Sequence, residues 1–333
     1  MRIGLSYDLK DTVSVEPAGA DDALEEYDTP ETVDIIASAL ESKGHSVVML
    51  GGGEAFLRCI LGERLDFVFN IAEGRGNHRS RESQVPAVLE MLDIPYSGSD
   101  SHCLALCLDK SLAKKLVEGA GIRTPKWYVI RKKEDLYRVP ESFPFPAIIK
   151  PVFEGSSKGI HNNSLVVTLN RAANIVNEML QRYRQPVMLE EFIEGDEVTV
   201  GLTGNSAPQI VGMMRILPRK KGRPFVYSLE VKRDWERLVD YECPALLEKK
   251  VIDRIAAASL GAFSTLGCRD FARIDFRISA NGIPYFLEIN PLPGLGTYSD
   301  LVIMALKMGY THQGLIGNVL DTALLRYPQC VHI

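Results

Sequence analysis

The stretch from residue 266 to residue 294 constrains the fold more than any other part of the chain. Two runs of alternating apolar and polar residues flank Asn281-Gly282, which is the pattern of a β-hairpin. Alternation places one arginine, two carboxylates and one amide on the same face of the paired strands. These residues are Arg273, Asp275, Glu288 and Asn290. Hard oxygen ligands suit Mg²⁺ that nucleotide phosphates also hold, so the two acids and the amide are candidate metal ligands.

The composition is that of a soluble globular protein with two or three packed units. The chain has 333 residues, of which 46% are hydrophobic and 24% are charged, and its net charge is −5. This charge gives no reason to expect a nucleic-acid partner, and no apolar run approaches the ~18 residues of a membrane span. The first residues read as a buried strand, and the six cysteines lack metal-binding spacing. We therefore expect a reduced, cytoplasmic protein with no membrane partner.

The order of predicted elements divides the chain into three domains. Short apolar runs alternate with helical patterns over residues 1–103, which predicts a wound α/β domain with a parallel sheet. Residues 104–186 mix strands with a helix, and residues 187–333 hold longer alternating strands, so two α+β domains are expected there. One helix is predicted from about Ser101 to Gly119.

Two segments before residue 160 have the composition of an anion site. Glu154-Gly155-Ser156-Ser157-Lys158-Gly159 combines small residues with two glycines, which lets backbone N–H groups approach an anion closely. It lacks the Gly-Lys-Ser/Thr of a P-loop, and alone it fits a plain glycine-rich hairpin equally well. Lys150 ends an apolar strand, where a buried ammonium needs a partner such as a phosphate oxygen. Lys110 begins a helix, and alone it reads as a solvated helix charge.

An apolar strand near residue 190 ends in two carboxylates. In a hinge between domains, such a segment presents backbone groups to adenine and carboxylates to ribose. The residues concerned are Glu190, Glu191, Phe192 and Ile193, with Glu197 on the next strand.

Together these segments resemble the ATP-grasp superfamily and, within it, the D-alanine–D-alanine ligase family, over nearly the whole chain. The resemblance is carried by Ile94-Pro95-Tyr96-Ser97-Gly98-Ser99, Asp109-Lys110, residues 119–125, Ile149-Lys150-Pro151, Glu154-Gly155-Ser156-Ser157, Arg273-Ile274-Asp275 and residues 288–294. It implies a three-domain fold in which two α+β domains clamp ATP. It also implies two Mg²⁺ ions, for which Mn²⁺ can substitute, and a homodimer formed through the N-terminal domain.

The resemblance also assigns roles to individual positions. ATP would be bound by Lys110, Lys150, Glu154, Gly155, Ser156, Ser157, Glu190, Glu191, Phe192, Ile193, Glu197 and Lys232, and the metal ions by Asp275, Glu288 and Asn290. Arg273, Gly294, Lys232 and Ser156 would be the catalytic groups, with Arg273 and the Gly294 backbone stabilising an oxyanion. Ser299 would bind the carboxylate of the second substrate. Residues 217–239, which contain Lys232, are a candidate lid.

The departures from the family lie at the amino-acid site. Glu73 stands where the family has a histidine that meets the first substrate, Arg233 replaces a tyrosine, and Asp300 replaces a leucine. We therefore expect these three residues to contact substrate. Arg233, Arg79 or Arg81 could restore the lost positive charge, and Asp300 could bind a second ammonium. The glutamate that binds the first amino group is either Glu26 or Glu31.

The expected activity is a carboxylate–amine ligation through an acyl phosphate, with release of ADP and phosphate. D-Alanine–D-alanine ligase, a step in peptidoglycan biosynthesis, is the nearest named activity. The alternatives are a ligase for other amino acids in secondary metabolism, an ATP-grasp kinase, and a non-catalytic nucleotide-binding module. An adenylate-forming synthetase would release AMP instead of ADP.

Overall fold

A computed structural model describes residues 1–13, 20–220 and 224–330 of the chain. The α-helices are α1 (Pro30–Ser42), α2 (Gly53–Gly62), α3 (Gln84–Met91), α4 (Ser101–Leu108), α5 (Lys110–Gly119), α6 (Leu169–Tyr183), α7 (Leu229–Arg233), α8 (Trp235–Leu238), α9 (Lys249–Thr265), α10 (Asp300–Lys307) and α11 (His312–Leu324). The strands are β1 (Arg2–Ser6), β2 (Ser46–Gly51), β3 (Phe67–Asn70), β4 (Trp127–Ile130), β5 (Ala147–Pro151), β6 (Leu165–Val166), β7 (Val187–Glu191), β8 (Gly195–Gly204), β9 (Gln209–Pro218), β10 (Val239–Glu242), β11 (Asp270–Ser279) and β12 (Pro284–Asn290). Within these described ranges, no helix is long and apolar enough to cross a membrane.

The first part of the chain forms a parallel sheet with strand order β2-β1-β3. Strands β1 and β3 are buried except at Arg2, because helices cover a parallel sheet on its faces. Helix α11, from the far end of the chain, packs into the same core beside α1. The prediction of a wound N-terminal unit is confirmed, and the last helix of the chain helps to bury it.

The other two sheets are antiparallel. The central sheet has the order β4-β7-β5-β6 and packs against α6, and the larger sheet has the order β10-β9-β8-β11-β12 and packs against α9. This combination of one parallel unit and two antiparallel units confirms the predicted mixture of α/β and α+β architecture. The predicted hairpin is also present, because β11 and β12 pair around Gly282, whose φ is +66°.

The predicted helix from Ser101 to Gly119 is wrong in one respect. The chain leaves helical geometry at Asp109, whose φ is −81° and ψ is 90°, so α4 ends before it and α5 begins after it. The Asp109 carboxylate accepts hydrogen bonds from the backbone N–H groups of Ser111 and Leu112, which caps α5. The break places Lys110 at the first position of α5, which agrees with the prediction that Lys110 begins a helix.

A buried carboxylate joins the first and last parts of the chain. Asp270 is fully buried at the start of β11, and it accepts a 2.7 Å hydrogen bond from the backbone N–H of Gly98. It also forms an ion pair with Arg326, whose guanidinium donates to the carbonyls of Tyr96 and Gly98. The segment around Gly98 therefore holds the N-terminal unit against the sheet that carries the hairpin.

The predicted domain limits remain predictions. The limit between residues 103 and 104 falls inside α4. The limit between residues 186 and 187 falls immediately before β7, which is hydrogen-bonded to β4 and β5 of the central sheet.

Candidate active site

The predicted polar face of the hairpin exists. Arg273 lies opposite Asn290, and Asp275 lies opposite Glu288, in the register of β11 and β12. Arg273 donates two hydrogen bonds to the Asp275 carboxylate, at 3.1 and 2.9 Å. Asp275 also accepts from Thr199 on β8 at 2.7 Å, so its orientation is fixed from two sides. A guanidinium and three oxygen-bearing side chains thus share one rigid sheet surface.

Glu288 is held in its ionised form by several cations. Burial alone would raise the pKa of Glu288, but Lys110, Lys150 and Arg273 outweigh burial and lower the pKa to about 2. The Lys110 ammonium lies 3.1 Å from the Glu288 carboxylate and also donates to the carbonyl of Glu154. A carboxylate that stays charged at every physiological pH is suited to bind a divalent cation.

The donor set fits Mg²⁺. Asp275, Glu288 and Asn290 supply oxygen ligands of the hard type that Mg²⁺ prefers. The amide nitrogen of Asn290 donates to Asp275 at 3.4 Å, which leaves the amide oxygen to serve as a ligand. Their side chains are partly exposed to adjoining cavities, so space remains for water and phosphate oxygens.

Lys150 has a protein partner that the sequence did not predict. Its ammonium donates to Glu190 at 2.8 Å across the pair β5–β7. Lys114 of α5 lies 2.7 Å from the other oxygen of Glu190, and it donates to Thr124 and to the carbonyl of Phe286. Burial lowers the pKa of Lys114 to about 8, against the opposing effect of Glu190. Lys114 therefore positions Glu190 from behind, and its place in the helical pattern of α5 gave no sign of this.

A cavity lies between the central sheet and the hairpin sheet, and we call it the inter-sheet cavity. Its apolar part includes Ile148, Phe192, Ile193, Val226 and Leu287, and its polar part includes Lys150, Ser157, Glu190, Glu191, Glu197, Lys232, Asp275, Arg277 and Glu288. The Arg277 guanidinium stacks 4.6 Å from the Phe192 ring and pairs with Glu197 at 3.0 Å. An apolar lining combined with carboxylates and lysines supplies the kinds of groups that the base, ribose and phosphates of a nucleotide require.

The glycine-rich segment forms a tight turn against this cavity. Ser156 and Ser157 both adopt left-handed backbone conformations, with φ of +51° and +58°. Such conformations are costly for residues with a side chain, and they concentrate at functional sites. Ser157 donates to the carbonyl of Tyr227, which connects the turn to the segment before α7. Ser156 faces away from the inter-sheet cavity and lines the two cavities described next.

Two further cavities adjoin the inter-sheet cavity. The inner cavity is lined by Glu26, Glu73, Glu82, Cys107, Leu108, Lys110, Glu154, Gly155, Ser156, Arg273 and residues 288–294. The polar cavity is lined by Lys10, Glu25, Glu26, Asp28, Glu73, Ser156, Tyr227, Leu229, Lys232, Arg233, Trp235, Tyr241, Arg273, Gly294, Tyr298, Ser299 and Asp300. Lys232 lies where the inter-sheet and polar cavities meet, because it lines both of them. The sites predicted for nucleotide and for amino acids are therefore neighbours.

Gly294 and Ser299 face each other in the polar cavity. A Cβ added to Gly294 would lie 2.9 Å from the Ser299 hydroxyl oxygen, so the hydroxyl occupies the space beside the glycine backbone. Asp300 is buried next to them and lies 3.6 Å from the Arg273 guanidinium, and it accepts a 3.1 Å hydrogen bond from Tyr227. Asp300 thus already has two partners in the structure, and its binding of a second ammonium remains a prediction.

The structure separates the open alternatives for the first substrate. Glu31 is exposed on α1 and lines none of the three cavities. Glu26 lines two of them, but Arg81 and Lys158 already bind its carboxylate. Glu25, which the sequence reasoning missed, lines the polar cavity and pairs with Arg233.

Of the three arginines proposed to restore positive charge, Arg233 alone lines one of these three cavities. Arg79 is exposed and lines none of them. Arg81 is buried behind the inner cavity and does not line it. Of the three arginines, only Arg233 therefore brings positive charge to these cavities, and its guanidinium already pairs with Glu25.

The candidate lid is only partly described. Lys232 lies in the short helix α7, and its ammonium stands 5.2 Å from the centre of the Tyr227 ring. The basic run Arg219-Lys220-Lys221-Gly222-Arg223 extends from the end of β9 into positions outside the described residues. Lid movement therefore remains a prediction, whereas the position of Lys232 beside both cavities is a structural fact.

Two carboxylates of the inner cavity lack a counter-charge of their own. Burial raises the pKa of Glu82 to about 7, with Glu26 adding to the rise and Arg81 opposing it. Burial also raises the pKa of Glu73 well above its ordinary value, and Glu82 and Glu26 add to this effect. Among the described residues, Glu73 forms neither a hydrogen bond nor an ion pair.

We expect the unliganded protein to lose stability as the pH rises towards and through 7. The pKa of Glu82 is about 7 in the folded chain, against an ordinary value of 4.5, so between these values the folded state binds a proton that the unfolded state has lost. The stability contributed by the neutral form is complete below pH 4.5 and disappears above pH 7. Urea unfolding at pH 5.5 and pH 8 should show a smaller decrease for Glu82→Gln than for the wild type. An equal decrease in both would contradict this assignment, and Glu118→Gln, on the exposed side of α5, is the matched control.

Comparison with known proteins gives a consistent result. The model of the D-ala D-ala ligase C-terminus family matches residues 116–321. A D-alanine–D-alanine ligase of Aquifex aeolicus is 34% identical over 285 residues, which cover 86% of this chain and 92% of the relative. An uncharacterized protein, y4sG, of Sinorhizobium fredii is 31% identical over 303 residues, which cover 88% of each chain.

Solved structures share the fold. The structure of D-alanine–D-alanine ligase from Bacillus anthracis complexed with ATP superposes with a TM-score of 0.75 at 23% identity, and it covers 99% of both chains. The VanG D-Ala:D-Ser ligase of Enterococcus faecalis superposes with a TM-score of 0.72 at 20% identity, with 97% of this chain and 99% of that chain covered. The three-unit architecture is therefore the ATP-grasp architecture of these ligases.

Proposed function

The chain belongs to the D-alanine–D-alanine ligase family of ATP-grasp enzymes, and we propose that it joins the carboxylate of one amino acid to the amine of another while converting ATP to ADP and phosphate. One observation carries this proposal. Arg273 on the hairpin and Gly294 just after it line the polar cavity. Asp275 and Glu288, on the two strands of the same hairpin, line the inter-sheet cavity. ATP in the inter-sheet cavity and the substrate carboxylate in the polar cavity would meet at this hairpin.

The inter-sheet cavity supports ATP as the phosphoryl donor. Its apolar slot suits adenine between Phe192 and Ile193, and Glu197 stands at a position suited to ribose. Lys150 and Lys110 now bind Glu190 and Glu288, and both would also reach phosphate oxygens at the mouth of the slot. The turn from Glu154 to Gly159 would cover the phosphates with backbone N–H groups.

Asp275, Glu288 and Asn290 would hold Mg²⁺. The ions would neutralise phosphate charge and orient the terminal phosphoryl group when bound. The oxygen-only donor set and the ionised state of Glu288 support this assignment.

In the first step, an oxygen of the substrate carboxylate attacks the γ-phosphorus of ATP, and the bond to the ADP oxygen breaks. Negative charge gathers at the phosphoryl group, so preorganised cations lower the barrier. Lys232 lies at the junction of the two cavities, where this charge would develop. The product is an acyl phosphate, which hydrolyses unless water is kept out.

In the second step, the amino group of the other amino acid gives up a proton to a carboxylate or phosphate oxygen and attacks the acyl carbon, and phosphate leaves. The tetrahedral intermediate carries an oxyanion. Arg273 is a fixed donor for it, because Asp275 holds its guanidinium with two hydrogen bonds and Asp300 lies beside its remaining nitrogen. The backbone N–H of Gly294 would be the second donor, and Ser299 would bind the carboxylate of the attacking amino acid.

ATP consumption in the presence of Mg²⁺ and a panel of single and paired D- and L-amino acids tests the proposal. We expect release of ADP, not AMP, together with a dipeptide detected by mass spectrometry. Phosphorylated amino acid without ligation would indicate a kinase instead. Release of AMP, or no nucleotide consumption with any amino acid, would contradict the proposal.

A second candidate is ligation of amino acids other than alanine, and the polar cavity favours it. The small methyl side chain of alanine needs no charged partner, yet this cavity has Glu73, the pair Glu25–Arg233 and the buried Asp300 on its walls. Turnover with D-alanine alone would show that these charges are tolerated and would favour a cell-wall role. Whether the enzyme acts as a homodimer remains a prediction.

A further inference from the structure

Most charged groups of the polar cavity are already paired. Glu25 pairs with Arg233, and Asp300 lies beside Arg273. The Glu26 carboxylate, whose side chain is only 3% exposed, pairs with buried cations behind the cavity wall. Each of these groups therefore already has an oppositely charged partner within the protein.

The carboxylates of Asp28 and Glu73 are exceptions, and so are the ammonium groups of Lys10 and Lys232, because none of the four forms an ion pair among the described residues. Lys232 lies over the Tyr227 ring instead. Asp28 is 7% exposed and lines the polar cavity. Its side chain forms no hydrogen bond or ion pair within the described part of the chain, and the same is true of Glu73, which lines both the polar and the inner cavity. The carboxylate oxygens of both residues are not fully enclosed, so they retain contact with open space.

Burial and neighbouring acids act on the pKa of both carboxylates more strongly than the nearby cations do. Burial raises the pKa of Asp28 to about 7, and the neighbouring Asp8 raises it further while Lys10 opposes the rise. Asp28 also contributes to the raised pKa of Glu73. Lys10 lines the same cavity but comes within 4.0 Å of neither carboxylate.

We propose that Asp28 and Glu73 bind a positively charged side chain, so that one of the two amino acids joined by this enzyme is basic, such as a diamino acid. This inference rests on the proposed ligase function. The α-ammonium that every amino acid carries would neutralise one carboxylate and leave the other unpaired. A substrate with a second ammonium neutralises both, and an ion pair formed in a cavity shielded from water is stronger than one on the surface.

Matched pairs of substrates test the inference. Ornithine differs from norvaline, and lysine from norleucine, by the terminal ammonium, so each pair separates charge from the length of the carbon chain. ADP release would be measured with each compound in D and L form, alone and with alanine, and the products identified by mass spectrometry. We expect kcat/KM for the basic member to exceed that for its neutral partner by about tenfold or more.

Two variants assign the preference to these carboxylates. Glu73→Gln and Asp28→Asn remove one charge each with little change of shape, and each should reduce the ratio of basic to neutral kcat/KM by about tenfold. Glu118→Gln, which removes an exposed charge of α5, should leave the ratio unchanged. Far-ultraviolet circular dichroism identifies any variant that fails to fold, and the other variant then decides.

The outcomes separate this inference from the function on which it rests. Ligation that prefers the neutral amino acids, or a basic preference that persists in both variants, would overturn the inference and leave the ligase function in place. Absence of ADP release with any amino acid would overturn both.

Discussion

Asp275→Asn is expected to abolish ligase turnover, with a loss in kcat of about 10³-fold or more, while the protein remains folded. The Asp275 carboxylate has two tasks in the structure. It is a charged member of the oxygen donor set, and it holds the Arg273 guanidinium through two hydrogen bonds. An asparagine keeps the shape and can still accept from Thr199, but it removes the charge that attracts Mg²⁺ and that fixes the arginine. Steady-state ADP release at saturating ATP measures the loss.

Asp253→Asn is the matched control for this prediction. Asp253 is exposed on α9, where it pairs with Lys249 one turn earlier, and the change should leave turnover within about twofold of the wild type. Turnover by Asp275→Asn close to that of the wild type would refute the metal assignment, because no other described carboxylate occupies its place in the hairpin register. Loss of activity accompanied by loss of thermal stability would instead indicate a structural role.

The hairpin shows which part of the site a sequence can predict. Arg273 and Asp275 share a face because alternation along a strand is a local property. The turn at Asn281-Gly282 sets the register only as far as Phe276, and a β-bulge beyond it brings Glu288 opposite Asp275. The same local reasoning located β1, because the first residues of the chain read as a buried strand. Periodicity alone predicted one helix from Ser101 to Gly119. The Asp109 side chain caps α5 and so divides this segment into two helices.

Long-range electrostatic pairs were outside the reach of this reasoning. Lys150 was expected to need a phosphate, because a buried ammonium must be paired, and the structure pairs it with Glu190. The argument from desolvation was sound, but the identity of the partner depends on how β5 and β7 pair. Glu25 was missed for the same reason, since its partner Arg233 lies 208 residues away. Burial and charge predict that a partner exists, and only the fold determines which one.

Arg81→Met is expected to lower the free energy of unfolding by about 3–5 kcal/mol. The Arg81 side chain is 1% exposed, and it binds Glu26, Glu154 and the carbonyl of Phe153 in a layer between the N-terminal unit and the glycine-rich turn. Methionine has a similar length and preserves the packing, but it leaves two carboxylates, 3% and 5% exposed, to share the ammonium of Lys158. Breaking a buried ion network on one side is costly because the remaining charges cannot be hydrated.

Urea unfolding of the unliganded protein measures this loss, with Arg58→Met as the control. Arg58 forms an ion pair with Glu54 on the surface of α2, where both side chains are more than three-quarters exposed, so its replacement should change the free energy of unfolding by less than about 1 kcal/mol. In the double variant Arg81→Met, Glu26→Gln, the loss should be smaller than the sum of the two single losses, because the second change removes a carboxylate that the first left unpaired. A loss below about 1 kcal/mol for Arg81→Met would mean that Lys158 alone neutralises both carboxylates.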